Sequence, residues 1–97
     1  MNKKRIYENV IILRGTFTEE DYKKALEKIK EYLAKYEIKK IEEIGKKKLA
    51  YEVDKNNEGY YIIIELKATA EEILELERFY RLNDNVLKFL IVKKYKR

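Results

Sequence analysis

The chain contains no cysteine and no histidine, which removes disulfides, thiolate nucleophiles, imidazole acid-base catalysis and zinc sites built on Cys or His. Serine is also missing, so there is no serine nucleophile, and Thr16, Thr18 and Thr69 are most simply turn and cap residues. There is no proline, only three glycines interrupt the chain, and no Gly- or Ser-rich run separates modules. Those glycines form no Gly-x-Gly-x-x-Gly or Walker segment, the backbone cradles that hold nucleotide phosphates. The longest unbroken apolar run is Tyr60 to Ile64, far short of the ~20 residues of a membrane helix. Met1 to Arg5 leads into an alternating strand pattern instead of a signal-peptide core, so the chain reads as cytosolic.

What remains is a small, highly charged chain. Its 97 residues fit one domain, because chains of this size bury only about 60 to 68% of their unfolded surface and cannot divide that between two cores. With 45% hydrophobic and 42% charged residues, it can fill a small core and still exceed the roughly 25% charge of an average globular protein. Twenty-three Lys and Arg against 18 Asp and Glu leave a net charge of +5, which points towards an anionic partner.

Periodicity predicts six elements. Ile6 to Leu13 alternates two sets, Tyr7, Asn9, Ile11, Leu13 and Ile6, Glu8, Val10, Ile12, as a strand with two partly apolar faces does. Gly15 breaks it, and Thr18 with Asp21 three residues on predicts a helix start, its first turn favoured by Glu19 and Glu20. Tyr22, Ala25, Leu26, Ile29, Tyr32, Leu33 and Tyr36 carry the helical spacing to about Tyr36, and Lys24, Lys28, Glu31 and Lys35 form its solvated face. Ile38, Ile41 and Ile44 do not alternate cleanly with Leu49, Tyr51 and Val53, which predicts a long strand with a bulge near Gly45. Asp54 to Gly59 reads as a turn, and Tyr60 to Leu66 as the returning strand of an antiparallel hairpin. Thr69 with Glu72 starts a second helix that carries Ile73, Leu76, Phe79 and Tyr80 and ends at Asn83 to Asn85; Val86 to Val92 is the last strand. Strand, helix, strand, strand, helix, strand is the α+β, ferredoxin-like split βαβ order, with two helices on one face of a four-stranded antiparallel sheet.

That fold hosts many functions, so the chemistry has to be sought in side chains. The pairs Glu19-Glu20 and Glu71-Glu72 stand where helix starts favour negative charge, which makes capping a better reading than acid-base work or magnesium binding. The distinctive material is basic: Lys3-Lys4-Arg5, Lys46-Lys47-Lys48, Arg78 with Arg81, and Lys88 running into the tail. Three consecutive lysines on a strand must alternate sides, so one points away from the packed face; protection of an exposed sheet edge competes here with phosphate contact. Nine tyrosines interleave with this charge. Yet Glu58-Gly59-Tyr60-Tyr61-Ile62-Ile63-Ile64-Glu65 lacks the leading basic residue and later aromatics of base-stacking RNA modules, so Tyr22, Tyr36 and Tyr51 read as packing residues. Recognition of folded RNA through phosphate and sugar is the better nucleic-acid reading.

The chain resembles the bacterial small-subunit ribosomal protein S six family across nearly its whole length. The resemblance rests on Tyr7-Glu8 before Ile11-Ile12-Leu13-Arg14, on Thr18-Glu19-Glu20, and on Glu42-Glu43-Ile44-Gly45-Lys46-Lys47-Lys48-Leu49-Ala50-Tyr51. It continues through Glu58-Gly59-Tyr60-Tyr61, Glu75-Leu76-Glu77-Arg78 and Arg81-Leu82-Asn83-Asp84-Asn85-Val86-Leu87-Lys88. It implies the same fold, no catalysis, no cofactor, and a structural role in the small ribosomal subunit, bound to the central domain of the small-subunit rRNA together with ribosomal protein S eighteen. Carried over by position, Arg5, Lys47, Lys55, Arg81, Lys88 and Lys93 are expected to contact RNA, and Leu49, Tyr51, Val53, Val92 and Tyr95 the partner protein. The chain departs from the family pattern at Gly15 and Glu52, where proline is usual, at Ile44, often tryptophan, and at Asn9, normally apolar. Asn9 is therefore either hydrogen-bonded beneath the helices or a sign that the strand faces are reversed.

Two other readings use the same fold. A regulatory or small-ligand module that self-associates through strand edges needs a pocket with convergent polar groups, for which there is no motif. An acylphosphatase-like enzyme needs an anion loop with Arg and a water-orienting Asn, and Arg14-Gly15 with Asn83 or Asn85 does not form that pattern.

Overall fold

The structure, a computed structural model, describes residues 3–94. Its elements run β1 (Arg5–Arg14), α1 (Glu19–Leu33), β2 (Glu37–Val53), β3 (Asn56–Ala68), α2 (Ala70–Leu82) and β4 (Val86–Lys93). The strands form one antiparallel sheet in the order β2-β3-β1-β4. This is the split βαβ arrangement expected from the sequence.

Register decides which side chains meet the helices. Tyr7 pairs with Leu66, Asn9 with Ile64, Ile11 with Ile62 and Leu13 with Tyr60, so these residues share one face. That face is buried: Ile11, Leu13, Ile62, Ile64 and Leu66 join Tyr22, Leu26, Ile29 and Leu33 of α1 and Ile73, Leu76 and Tyr80 of α2 in one core. Both helices therefore cover the same side of the sheet. The capping logic holds at both: Thr18 Oγ1 accepts from the Asp21 N–H at 3.1 Å. At the second helix, Thr69 and Glu72 exchange side-chain to backbone hydrogen bonds in a full capping box.

Asn9 is fully buried on the core face and the strand faces are as read. Its Nδ2 donates to the Ile64 carbonyl at 3.2 Å and its Oδ1 accepts from the Tyr80 hydroxyl at 2.9 Å. Both ends of the amide are satisfied, which is what allows a polar group at 0% exposure.

Four expectations need correction. Helix α1 stops at Leu33, and Tyr36 lies beyond it, although its ring is buried in the core. The hairpin turn is shorter than Asp54 to Gly59: only Asp54 and Lys55 turn, both with positive φ (47° and 66°), and β3 begins at Asn56. Gly59 belongs to that strand, paired with Arg14 and Lys47, because positive φ at two adjacent residues closes a hairpin without a longer loop. Tyr51 is no packing residue of the core; it is 69% exposed.

Candidate nucleic-acid interface

All six expected RNA-contacting side chains, Arg5, Lys47, Lys55, Arg81, Lys88 and Lys93, belong to exposed residues. The topology divides them between two ends of the sheet. Arg5 opens β1 beside Lys93 at the end of β4, since Tyr7 pairs with Lys93. Lys55 is in the hairpin turn and Lys88 pairs with Ile12; Arg81 is in the last turn of α2, which leads into β4 opposite Leu13. Lys47 pairs with Gly59, which in turn faces Arg14. Nine residue steps along β1 separate Arg5 from Arg14, roughly 30 Å at ~3.3 Å per residue.

The Arg5 end is a cleft of about 530 Å³ lined by Lys4, Arg5, Glu65, Lys67, Lys93 and Lys94. Its one acidic wall is neutralised in place: the Lys94 ammonium lies 2.8 Å from Glu65. That hydrogen bond holds the Glu65 carboxyl below, and the Lys94 ammonium above, their usual ranges. Nearby Glu37 is likewise lowered, first by the hydrogen bond from Lys39 and then by the fields of Lys39, Lys67 and Lys4. The cations therefore outnumber the carboxylates even after pairing. Lys4 and Lys94 belong to the basic ends noted in the sequence, whereas Lys67 escapes that reading, although the alternation Tyr61, Ile63, Glu65, Lys67 places it on the Glu65 face.

The opposite end is assembled from three connections. Arg14, the last residue of β1, sends Nη1 to Asp54 Oδ2 and Nε to the Asp84 carbonyl, each at 2.8 Å. Asn56, 4% exposed, accepts from the Gly15 N–H at 3.1 Å and donates to the Asp54 carbonyl at 2.9 Å. Gly15 has no room for a side chain, because a Cβ there would run into the Glu58 carbonyl oxygen. The three lysines 46–48 alternate as expected. Lys46 opposes Tyr60 on the helix side, with Nζ 5.2 Å from that ring centroid, and Lys47 lies on the other face. β2 is an edge strand, so edge protection remains available to these lysines too.

The expected partner-protein residues fall mostly on the face without helices. Pairing between β2 and β3 lapses from Lys48 to Val53, so Leu49 to Glu52 bulge out of the ladder. Leu49 Cδ2 comes within 3.7 Å of where a Gly59 Cβ would stand, beside Ile12, which explains why Ile12 is buried on the helix-free face. Tyr51 reaches Lys88 across the sheet, with the ammonium 5.3 Å from its ring centroid. Val92, 44% exposed, shares that face with Lys88 and with Leu90, which is 60% exposed. Val53 is half-buried at the hairpin end, and Tyr95 lies outside the described residues.

Among the described residues no cluster of Asp or Glu is placed to hold a metal ion, and no helix is long and apolar enough to cross a membrane. What the geometry of the described residues offers is convergent cations.

The family described as Ribosomal protein S6 matches residues 6–93. The small ribosomal subunit protein bS6 of Helicobacter acinonychis (strain Sheeba) is 42% identical over 91 residues, covering 92% of this chain and 64% of that protein. The bS6 of Sulfurovum sp. (strain NBC37-1) is 43% identical over 89 residues, covering 90% of this chain and 70% of that protein. The chain thus spans a little under two thirds of the length of the Helicobacter relatives. The crystal structure of 30S ribosomal protein S6 from Thermotoga maritima superposes with a TM-score of 0.85 at 33% identity, covering 95% of this chain and 89% of that one. The pattern of residues, the sheet order and these matches agree, and the chain belongs to the ribosomal protein S6 family.

Proposed function

We propose that this chain is a structural protein of the small ribosomal subunit, located on the ribosome in the cytoplasm, and that it binds the central domain of the small-subunit rRNA together with ribosomal protein S eighteen. The observation that carries the reading is the family match over residues 6–93. The geometry supports it in kind: exposed cations gather at both ends of the sheet. Basic side chains neutralise phosphates and release counterions, while the sheet and helices fix their spacing.

Partner and RNA surfaces meet at one place. Lys88 is assigned to RNA and Tyr51 to the partner, and their side chains touch. A partner seated on Leu49, Tyr51 and Val92 therefore adds contact area beside the cations, and a net charge of +5 leaves affinity for RNA alone weak.

The test is binding of the chain to a central-domain fragment of small-subunit RNA, with and without S eighteen, over a salt series. Tight binding only with the partner, weakened by Arg81→Ala or Lys88→Ala, supports the reading. Absence of binding in both arms refutes it and turns attention to self-association through the β2 edge, where Ile41 and Ile44 are exposed among lysines.

A further inference from the structure

The hairpin end of the molecule is held together by a residue that no functional assignment includes. Its tip turns through Asp54 and Lys55, both at positive φ although neither is glycine, and such backbone persists only where its surroundings fix it. The arm behind the tip does little of this, because ladder pairing lapses between Lys48 and Val53. Within the hairpin, Val53 pairs with Asn56 and the Asn56 amide donates to the Asp54 carbonyl; the rest of the hold comes from outside it. Arg14 bridges the Asp54 carboxylate and the Asp84 carbonyl, tying the tip to the turn between α2 and β4. Asn56 fastens the same tip to Gly15.

We propose that Arg14 is a positioning residue for the basic surface at this end: it fixes the hairpin tip so that Lys55 and Lys88 are held at one end of the sheet for RNA phosphates. This rests on the RNA-binding reading above. Arg14 is suited to holding rather than to contacting RNA, since two of its three guanidinium nitrogens are engaged and its side chain is only 28% exposed. A lysine could not replace it, because one ammonium cannot span a carboxylate and a carbonyl in the fixed geometry of a guanidinium fork.

The experiment uses the full chain as wild type, Arg14→Ala, Arg14→Lys and Asp54→Asn. Amide hydrogen exchange is followed at residues 49–57, and affinity for the central-domain RNA fragment with S eighteen is measured over a salt series. In Arg14→Ala, exchange at the tip speeds up roughly tenfold while Ile11, Ile62 and Ile64 keep their protection. Affinity falls roughly fivefold to tenfold through lost preorganisation, with the salt slope unchanged. Asp54→Asn and Arg14→Lys change both readouts in the same direction. A direct phosphate contact by Arg14 gives the opposite pattern: Asp54→Asn frees the guanidinium and raises affinity, and Arg14→Ala lowers the slope by about 0.7 to 0.9. Either of those results, or unchanged exchange at the tip, overturns the proposal while leaving RNA binding in place. Wild-type chain that binds no RNA removes the RNA-binding reading itself, and with it the functional part of the proposal.

Discussion

The Lys88 ammonium lies 5.3 Å from the centroid of the Tyr51 ring, joining the edge strand β4 to a bulged segment of β2 at the opposite edge of the sheet. Two strands stand between them, so the contact exists only because the end of the hairpin folds across the helix-free face. An exposed cation-π contact contributes about 0.5 to 1 kcal/mol, enough to bias where the lysine points. Ring currents report it directly. The Lys88 ε-methylene protons are expected upfield of the other lysines by NMR, and Tyr51→Ala returns them to the common position with little change in stability.

Tyr80 and Asn9 form the buried polar pair of the core. Tyr80→Phe leaves the Asn9 Oδ1 without its 2.9 Å donor at a fully buried site, and an unpaired buried acceptor costs about 1 to 3 kcal/mol. Urea unfolding should show a loss in that range. A loss well below ~1 kcal/mol means that the Asn9 amide finds another donor.

The Tyr36 hydroxyl presents the reverse case, being buried with no hydrogen-bond partner among the described residues. Tyr36→Phe removes an unsatisfied group, so it is expected to be neutral or stabilising by up to about 1 kcal/mol at neutral pH. The same burial pushes the hydroxyl up to about 12, helped by the fields of Tyr32, Glu75 and Glu72. A folded pKa above the unfolded value of about 10 means that this contribution to stability is complete below pH ~10 and is lost as pH rises through the folded value. Tyr22 and Tyr80 shift the same way, first through burial, with the 2.7 Å hydrogen bond to Glu43 adding for Tyr22. Urea midpoints should therefore stay level to pH ~10 and then decline, less steeply in Tyr36→Phe.

Gly15 and Gly45 are required for different reasons. Gly15→Ala drives a methyl into the Glu58 backbone, and overpacking of this kind costs about 1 to 3 kcal/mol. Gly45 meets nothing within 4 Å but holds φ at +103° in the β2 bulge, so Gly45→Ala costs about 1 to 3 kcal/mol through backbone strain alone. Thermal unfolding of the two variants should show both losses, and only Gly15→Ala should disturb amide signals of Glu58 and Asn56.

The parts of the fold legible in the sequence are those governed by one local rule. Thr18 and Thr69 announced the helices because a cap needs only its own turn, and Tyr7, Ile11 and Leu13 announced the core face of β1 because strand alternation is strict. The hairpin is hard to read where local rules compete: Asp54 and Lys55 take positive φ without glycine, and Gly59, which looks like a turn residue, sits in β3, where the Ile12 side chain fills the space a Cβ would need. Tyr51 read as a packing residue because its aromatic character carries no sign of a bulge. The basic site residues were visible by type and position, but their division between two ends of the sheet, and the part of Arg14, Asn56, Lys67 and Lys94, depend on strand order and on contacts 29 to 70 residues apart in the chain.

The most direct test of the central claim is the salt dependence of binding to the central-domain RNA fragment in the presence of S eighteen. With about four to six phosphate contacts, the logarithm of affinity should fall against the logarithm of salt with a slope of roughly −4 to −5. Lys88→Ala should make that slope shallower by about 0.7 to 0.9. A slope near zero, or equal affinity for the RNA with every one of the six basic residues replaced, would contradict recognition through the phosphate backbone.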